Sequence, residues 1–280
     1  QPNLELPLLG ASLKQTIRYA ADMKEIADVY PPLLYALTQG EKGESLSDAV
    51  YYPFAGQTII RSNDKGKYID KTYLLLDNGP YRTDHSDLDA LHFILYSNNL
   101  VLLPDSGLYT YEDENDLRTY FHGTKSHNTV VVDGMDQREG EPTRGNLDIG
   151  EGYVRQSAYH DLYDGVIHNR EISLLNHDLI LIVDDLVSKN QHNYSQLFHL
   201  FPNATLNIDG LKIRGSGSRE DQSITIHQII EDNVSVNTRI GAKAETPSFC
   251  AEQYEKLIPC YTISYEQTGK TVRFITLLEI

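Results

Sequence analysis

Two neighbouring segments of the sequence, GVIHNREISLL (165–175) and DLILIVDDLV (178–187), decide the fold class. Both are short runs rich in Val, Ile and Leu, which are typical of β-strands. Comparable runs continue through residues 46–280, mostly separated by turn signals and without a strong helical pattern between them. Many strands without intervening helices predict a large antiparallel β-sandwich. Within this region, DGLKIRGSGSREDQS (209–223) is predicted to be a mobile loop.

The first 45 residues have a different pattern. In LKQTIRYAADMKEIADVYPPLLYALTQG (13–40), apolar side chains recur near helical spacing, and Pro31-Pro32 divides the stretch into two segments. Two short helices cannot bury an apolar face alone, so they need a sheet or further helices to pack against. We therefore predict a mainly β protein, with a short helical segment at 1–45 and the β-sandwich domain at 46–280.

Composition limits the classes of partner. The net charge of this 280-residue chain is −16, which argues against nucleic acid, because affinity for that polymer depends on a basic surface. No apolar run approaches the roughly 18–20 residues of a membrane helix, so we expect no membrane insertion. Cys250 and Cys260 are expected either to form one disulfide or to remain two buried thiols. The chain begins with QPNLELP, without Met, which indicates a processed protein or a fragment of a longer one.

The stretch RTDHSDLDALHF (82–93) contains an unusual number of titratable groups. If it is a strand, His85, Asp87 and Asp89 share one face. Each buried, unpaired charge would cost several kcal/mol, so these groups must face water, a substrate or a cation. His and Asp together suit Zn²⁺ and similar ions, and Asp105 or His127 could complete a site from neighbouring strands. The alternative is a solvated edge strand with polar residues.

Further polar motifs follow along the chain. LPDSGLYTY (103–111) places an Asp and a Gly turn after an apolar strand, and SHNTVVVDG (126–134) opens a buried strand with His-Asn. In this order, after NGPY (78–81), the stretch from HSDLD to VVVDGMDQ (85–137) resembles the heparinase II/III-like polysaccharide lyases. The matching features are the His-x-x-x-Asp strand, the Asp-x-Gly-x-Tyr turn and the His-Asn-Thr strand that ends in Val-Asp-Gly.

The resemblance implies a two-part fold, in which an incomplete α/α toroid precedes an antiparallel β-sandwich. The helical part here is much shorter than a toroid, so the chain would correspond to the last toroid helices plus the complete β-part. Part of the family's proton-abstracting machinery, a Tyr with its partner Asn or His, lies on the toroid and has no counterpart in this sequence. The toroid domain of a parent chain is therefore an expected partner.

The resemblance also implies an activity. Such lyases cleave polysaccharides that contain uronic acid by β-elimination, so the expected ligand is an anionic polysaccharide or oligosaccharide and the expected location is periplasmic or secreted. The site must neutralise the uronate carboxylate, place a base at the adjacent carbon-bound proton and protonate the leaving oxygen. His can perform either proton transfer near neutral pH, and Tyr can do so if cationic neighbours lower its pKa.

Residue roles follow from matching the motifs. His85 matches the catalytic histidine of the β-part. Asp87 falls where many relatives have a second, metal-binding His, and Asp105 and His127 match the other two ligands. The cofactor implied is a mainly structural divalent metal, with Zn²⁺ first and Ca²⁺ or Mn²⁺ as alternatives. The 18-residue spacing from Asp87 to Asp105 fits two antiparallel strands joined by a hairpin at Asn98-Asn99.

Tyr120 and Tyr111 are the candidates for a catalytic or substrate-contacting Tyr. Alternation in an extended segment would put Arg118, Tyr120 and His122 on one face, and Lys125 adds a further nearby cation. Arg118, Lys125 and His122 are therefore predicted to bind an anionic sugar, with a mixed-charge loop as the alternative.

The remaining histidines and Asp89 are assigned supporting roles. Asp89 is expected to support the metal ligands or to form a hydrogen bond at the start of a strand, and His199 is predicted to be packed within a strand. Structural or exposed positions are predicted for His92, His160, His168, His177, His192 and His227.

Three functions agree with these observations. The first is a polysaccharide lyase, or the β-domain of one that is inactive as this fragment alone. The second is a non-catalytic carbohydrate-binding β-sandwich with a structural metal. The third is a metal-stabilised structural sandwich without a carbohydrate role.

Overall fold

A computed structural model of the chain describes residues 30–280 apart from positions 39, 46, 63–69, 83–84, 113–115, 177, 231 and 242–245. Most of the predicted helical segment and His177 therefore lie outside the described residues. The described part of that segment contains helix α1, Pro31–Leu37. Its two prolines occupy the first turn, where the missing N–H groups cost no helical hydrogen bond. In the described part of the chain, no helix is long and apolar enough to cross a membrane.

The smaller of the two main sheets has five antiparallel strands in sequence order. Its strands are β1 Ala49–Tyr52, β2 Gln57–Arg61, β3 Tyr73–Asp77, β4 Phe93–Ser97 and β5 Leu100–Leu103. Strands β4 and β5 form the predicted hairpin, with Asn98 and Asn99 at its turn. Both asparagines have positive φ, 51° and 59°, which a two-residue hairpin turn requires and Asn tolerates well.

The larger sheet has ten strands and is built around two long ones, β10 and β17. These pair from Leu179 opposite Glu279 to His199 opposite Thr262, with one irregularity between Val187 and His192. The strands of this sheet are β6 Val130–Val132, β7 Thr143–Gly150, β8 Tyr153–Tyr163, β9 Val166–Leu175, β10 Leu179–His199, β11 Thr205–Asp209, β12 Lys212–Ser216, β13 Ser223–Gln228, β14 Ser235–Ile240 and β17 Tyr261–Glu279.

One apolar core lies between the two sheets. Ile60 and Leu74 of the small sheet and Ile182 and Phe274 of the large sheet are all fully buried in the same cluster. The alternating residues on the inner faces of two sheets form such a core. The other face stays accessible in strands such as β8, whereas β4 is buried at every position. The predicted fold class, a large antiparallel β-sandwich preceded by a short helical segment, is confirmed.

A third, two-stranded sheet is formed by β15 Phe249–Gln253 and β16 Lys256–Pro259. It packs against helix α2, Asp116–His122, through a small cluster that contains Phe121 and Ala251. Cys250 and Cys260 are buried free thiols, which decides between the two alternatives left open by the sequence.

The predicted mobile loop at 209–223 is wrong for its central part. Residues 212–216 form β12, which is paired on both sides, with β11 and with β13. Ile213 is buried, whereas Lys212 and Arg214 are exposed. The period of two typical of a half-buried strand is therefore present, but one apolar residue among many polar ones made it difficult to detect.

Candidate active site

A cleft of about 600 Å³ lies where the segment before β4 crosses the small sheet. Its lining combines several carboxylates and imidazoles with cationic side chains, and Gln57 and Ile94 also contribute to it. The titratable residues lining it are Asp77, Tyr81, Arg82, His85, Asp87, Asp89, His92, Asp105 and Arg138. Concave sites with convergent polar groups of this kind are where ligands usually bind.

The expected strand at 85–89 is not present, because this segment runs through turns and β4 begins only at Phe93. Leu91 has a φ of +64°, an uncommon backbone conformation for a residue with a branched side chain. Its N–H donates to the Asp77 carbonyl at 3.0 Å, and its own carbonyl accepts from Arg170 Nη1 at 2.8 Å. These partners lie far away in sequence, so local alternation could not predict the turn. His85, Asp87 and Asp89 nevertheless face the same cleft.

Asp105 is the centre of a buried cluster with two histidines. Its Oδ2 lies 3.0 Å from Nδ1 of His127 and 3.2 Å from Nε2 of His92. The structure thus brings together two of the three predicted metal ligands. The third neighbour is His92, for which the sequence predicts a structural or exposed position, whereas Asp87 lies beside the cluster in the cleft wall. The sequence contained a signal for His92. His92 lies six residues before Asn98 and Asp105 lies six residues after Asn99, so a hairpin with its turn at Asn98-Asn99 brings the two residues close together.

The electrostatics of the cluster favour an ion pair. Burial alone would raise the pKa of Asp105, but its contacts with His127 and His92 outweigh burial and hold that pKa well below the usual range. Burial likewise opposes the charge on His127, yet the Asp105 carboxylate raises the pKa of His127 to about 10. Burial raises the pKa of Asp87 to about 6, with the charge of His127 partly offsetting it, and raises the pKa of Asp89 well above its usual value.

The cluster fits a divalent cation. One atom from each of His92, Asp105 and His127 can be chosen so that the three lie within 4.8 Å of one another. Nε2 of both imidazoles is buried without a well-aligned hydrogen bond, which is uncommon for buried polar atoms. Nδ1 of His92 accepts the Asn128 N–H at 2.8 Å, so the neutral ring carries its proton on Nε2. A cation bound at that nitrogen would displace this proton.

His85 is exposed at the rim of the cleft. Its ring meets the edge of Tyr111, with ring centroids 5.8 Å apart at an angle of 83°. Tyr111 in turn stacks on Tyr254, and the guanidinium of Arg118 lies 5.4 Å above the Tyr111 ring. The structure therefore brings together three of the predicted site residues, His85, Tyr111 and Arg118. Tyr254, from the turn between β15 and β16, joins them without any signal in the sequence.

The expected extended segment around Tyr120 is instead helix α2. Helical geometry puts Arg118 and His122 on one face, four residues apart, and turns Tyr120 away from them. Tyr120 is buried against Phe121, its hydroxyl has no hydrogen-bond partner, and burial raises its pKa further from neutrality. Tyr120 does not belong to the cleft lining, which includes His85.

The other two predicted sugar-binding residues are His122, at the end of α2, and Lys125, shortly after it. His122 Nε2 is 3.4 Å from the hydroxyl of Tyr81, which lines the cleft. Lys125 is half-buried in a short 3-10 helix, Thr124–Ser126, and its carbonyl accepts from Nε2 of His199 at 3.1 Å. His199 is fully buried in β10, as predicted for a packed strand histidine.

Four more histidines lie away from the cleft lining. His160 and His168 are buried in the large sheet, and their nearest ring nitrogens are 3.2 Å apart. His192 contacts Asp133 at 2.6 Å, and His227 is half-buried on β13. These positions agree with the structural or exposed roles predicted for them.

Comparison with known proteins gives a consistent result. The family described as Heparinase II/III-like, C-terminal, matches residues 44–256. A heparin-sulfate lyase of Bacteroides stercoris is 25% identical over 220 residues, which cover 75% of this chain and 31% of that protein. A heparin-sulfate lyase of Bacteroides thetaiotaomicron is 24% identical over 217 residues, covering 70% of this chain and 30% of that protein. The chain thus spans about a third of these curated relatives.

Solved structures show the same fold. The heparan sulfate lyase HepC from Pedobacter heparinus superposes with a TM-score of 0.85 at 19% identity, over 100% of this chain and 44% of that chain. A crystal structure of heparinase III superposes with a TM-score of 0.81 at 19% identity, over 98% of this chain and 44% of the other.

Proposed function

Because the chain belongs to the heparinase II/III-like family, we propose that it is the β-sandwich part of a polysaccharide lyase. In this proposal the lyase cleaves chains containing uronic acid by β-elimination. The observation that carries the proposal is the cleft in which an exposed His85 faces a group of half-buried carboxylates and the buried imidazole of His92. Groups with shifted pKa values concentrated in one cleft are typical of active sites.

The chemistry required is proton transfer beside a carboxylate. His85 is accessible at the rim, and an imidazole can accept or donate a proton near neutral pH. Tyr111, in edge contact with His85, can orient the imidazole or contact the substrate. Arg82 and Arg138 line the same cleft, and Arg118 lies over Tyr111, so cations are available for the uronate carboxylate in an acidic chain.

A divalent metal, Zn²⁺ before Ca²⁺ or Mn²⁺, would be held by Asp105 and His127 with His92 or Asp87. When bound, it would fix the side chains of its ligands and neutralise carboxylate charge. The protein already restrains this region without it. Asp105 Oδ1 accepts the Gly107 N–H at 2.7 Å, and the Asn128 amide donates to the Phe93 and Pro104 carbonyls at 2.9 and 3.0 Å.

Further domains and location follow from the proposed role. An α/α toroid domain would supply the second wall of the cleft and the remaining proton-transfer groups, with residues 1–45 as its last helical part and 46–280 as the sandwich. Polysaccharides that contain uronic acid lie outside the cytoplasm, so we propose that the protein acts in the periplasm or outside the cell. The alternative function is a non-catalytic module that binds polysaccharide, which the exposed aromatic rings beside His85 also suit.

The test is the formation of the unsaturated uronate product, followed by its ultraviolet absorbance. The longest natural form of the protein is mixed separately with alginate, heparan sulfate and hyaluronan. Replacing His85 with Ala should lower the rate with the active substrate by about 10²–10⁴-fold. His227→Ala changes another incompletely buried histidine, on β13, and should leave the rate unchanged.

Absence of product with every uronate polymer would refute the lyase proposal. Retained binding without product would then assign the chain to the binding-module alternative. If His85→Ala is as active as His227→Ala, the lyase activity stands but His85 is not its proton-transfer group.

A further inference from the structure

We propose that Tyr111 and Tyr254 form a sugar-binding shelf, a subsite next to the cleft that takes the uncharged face of a pyranose ring. The cleft would lie on one side of His85 and the shelf on the other. The shelf would hold one sugar unit of the polysaccharide chain. This inference rests on the proposed function for the class of ligand, a polysaccharide. The position and chemistry of the subsite come from the two rings themselves.

The exposure of the two rings is the first observation. Tyr111 is 51% exposed and Tyr254 is 53% exposed, although they stack with centroids 6.2 Å apart and planes 27° apart. Two large aromatic rings that pack only partly against each other leave a continuous apolar surface in water. Surfaces of this kind mark binding sites more often than single exposed apolar residues do.

The second observation is that the shelf continues the cleft. The edge contact between His85 and Tyr111 puts the shelf directly beside a residue that lines the cleft. A chain whose reacting sugar lies at His85 can therefore place a neighbouring sugar on Tyr111 and Tyr254. The ring centroids of His85 and Tyr111 are 5.8 Å apart, and those of Tyr111 and Tyr254 are 6.2 Å apart. Each distance is similar to the width of one pyranose ring.

The third observation is that the shelf is held in place before any ligand binds. The Ala251 N–H donates to the Ser106 carbonyl at 2.7 Å, and the Glu255 N–H donates to the Tyr109 carbonyl at 2.8 Å. These backbone bonds tie the β15–β16 hairpin to the segment that carries Tyr111. The Tyr254 hydroxyl also lies 3.4 Å from Oγ1 of Thr110. Rings that are already ordered lose little conformational entropy when a ligand binds.

Charge around the shelf indicates which part of a sugar it accepts. Arg118 covers part of the Tyr111 ring, whereas Glu252 and Glu255, both exposed, flank Tyr254 in sequence. With the exposed Lys256 counted, two carboxylates and one ammonium leave this stretch net acidic, which disfavours a uronate carboxylate at Tyr254. The C–H face of a neutral hexose or hexosamine would instead meet an aromatic ring. Tyr254 is therefore assigned to the neutral sugar of an alternating chain and Arg118 to its acidic neighbour.

The experiment measures binding rather than cleavage, so its result does not depend on the lyase activity. Hexasaccharides prepared from heparan sulfate, alginate and hyaluronan are titrated calorimetrically into the full chain and three variants. For a hexasaccharide that the unchanged chain binds, Tyr254→Ala should raise the Kd by about three- to tenfold. Tyr254→Phe keeps the ring and should bind like the unchanged chain.

Tyr159→Ala is the matched control for loss of an exposed tyrosine. Tyr159 is 44% exposed on β8 of the large sheet and lines no part of the cleft, so binding should be unchanged. Equal unfolding midpoints of the three variants would show that the fold is retained, as expected for side chains with this exposure.

The outcomes separate the shelf from the lyase proposal. Equal affinity of Tyr254→Ala and the unchanged chain overturns the shelf and leaves the lyase proposal standing. Weaker binding by Tyr254→Ala in a protein that forms no unsaturated product supports the shelf and refutes the lyase. Failure of the unchanged chain to bind any hexasaccharide overturns the shelf, because both rings would then serve another contact, such as a neighbouring domain.

Discussion

Two buried groups of Asp and His lie in different parts of the molecule, and the difference between them shows what makes one a site. In the cleft, Asp105 contacts His127 at 3.0 Å. In the large sheet, Asp184 contacts His168 at 2.7 Å and is also paired with Arg170. The residue types are similar, and both carboxylates have lowered pKa values because of their cationic partners, which outweigh the effect of burial.

The two groups differ in how completely their atoms are paired. Asp184 accepts from Nε and Nη2 of Arg170 at 2.7 and 2.8 Å and from Nε2 of Gln196 at 2.7 Å, in addition to His168. The cleft cluster leaves Nε2 of His127 without a partner. A network whose central carboxylate is paired on both oxygens stabilises the fold, whereas a cluster with unpaired imidazole atoms beside a cavity retains the capacity to bind a ligand.

The interior network also supports the cleft. Nη1 of Arg170 donates to the carbonyls of Leu91 and Asn128, both at 2.8 Å. Leu91 immediately precedes His92, and Asn128 immediately follows His127. The network therefore fixes the backbone on which both cleft histidines are carried, including the left-handed conformation of Leu91.

The largest effect is expected from breaking the interior network. Asp184→Ala leaves the Arg170 guanidinium buried without its carboxylate, and removing one partner of a buried ion pair costs about 3–5 kcal/mol of unfolding free energy. Asp185→Ala is the matched control, because the adjacent Asp185 pairs with Arg273 at the surface. That change should cost no more than about 1 kcal/mol. Urea unfolding measures both.

Equal losses for the two variants would contradict the assignment of Asp184 as the centre of a structural network. If Asp184→Ala does not fold, Asp184→Asn, which keeps the shape and some hydrogen bonds, provides the comparison with Asp185→Asn. Asp184→Asn should again lose more unfolding free energy than Asp185→Asn.

A smaller loss of stability is expected in the cleft. Asp105→Asn removes a charged acceptor from His127, and hydrogen bonds to charged groups contribute about 1.5–3 kcal/mol. The loss should be smaller than for Asp184, because Asp105 is partly open to the cleft and water can replace part of the interaction. Bound metal, measured by elemental analysis after loading with Zn²⁺, should fall at the same time. Full metal occupancy in Asp105→Asn would contradict the ligand set.

The fold was more predictable from the sequence than the site. The strands and the Asn98-Asn99 hairpin follow from local composition and turn chemistry, which act over a few residues. The turn at Leu91 depends on Arg170, and the helical form of the segment around Tyr120 is accompanied by packing against the β15–β16 hairpin. These contacts join distant parts of the chain, so no local pattern could show them.

Individual site residues also differ in whether local sequence could have revealed them. His92 could have been found by counting outward from the hairpin turn, because that turn sets which residues lie near Asp105. The sequence instead favoured Asp87 through its motif position. Nothing near Tyr254 marks it as a neighbour of Tyr111, since their stacking depends on backbone bonds between the hairpin and residues 106–110.

The pH dependence of stability should also differ between the two groups, with opposite signs. In metal-free protein, Asp105 raises the pKa of His127 from 6.5 to about 10. A raised pKa contributes stability that is complete below pH 6.5 and is lost as the pH rises towards 10. The pKa of His168 is lowered by burial, so His168 costs stability as the pH falls below 6.5, where the unfolded chain takes up the proton.

Urea unfolding with EDTA at pH 5.5, 7 and 9.5 can separate these contributions, because each single variant removes one of them. The stability difference between the unchanged protein and His127→Gln should shrink from pH 7 to pH 9.5. The difference between the unchanged protein and His168→Gln should instead shrink from pH 7 to pH 5.5. Subtracting each variant from the unchanged protein cancels Tyr, Lys and Cys groups that titrate in the same alkaline range. If both stability differences shrink in the same pH direction, the pKa values of His127 and His168 are shifted in the same direction. That result would contradict the electrostatic contrast between a binding site and a structural network.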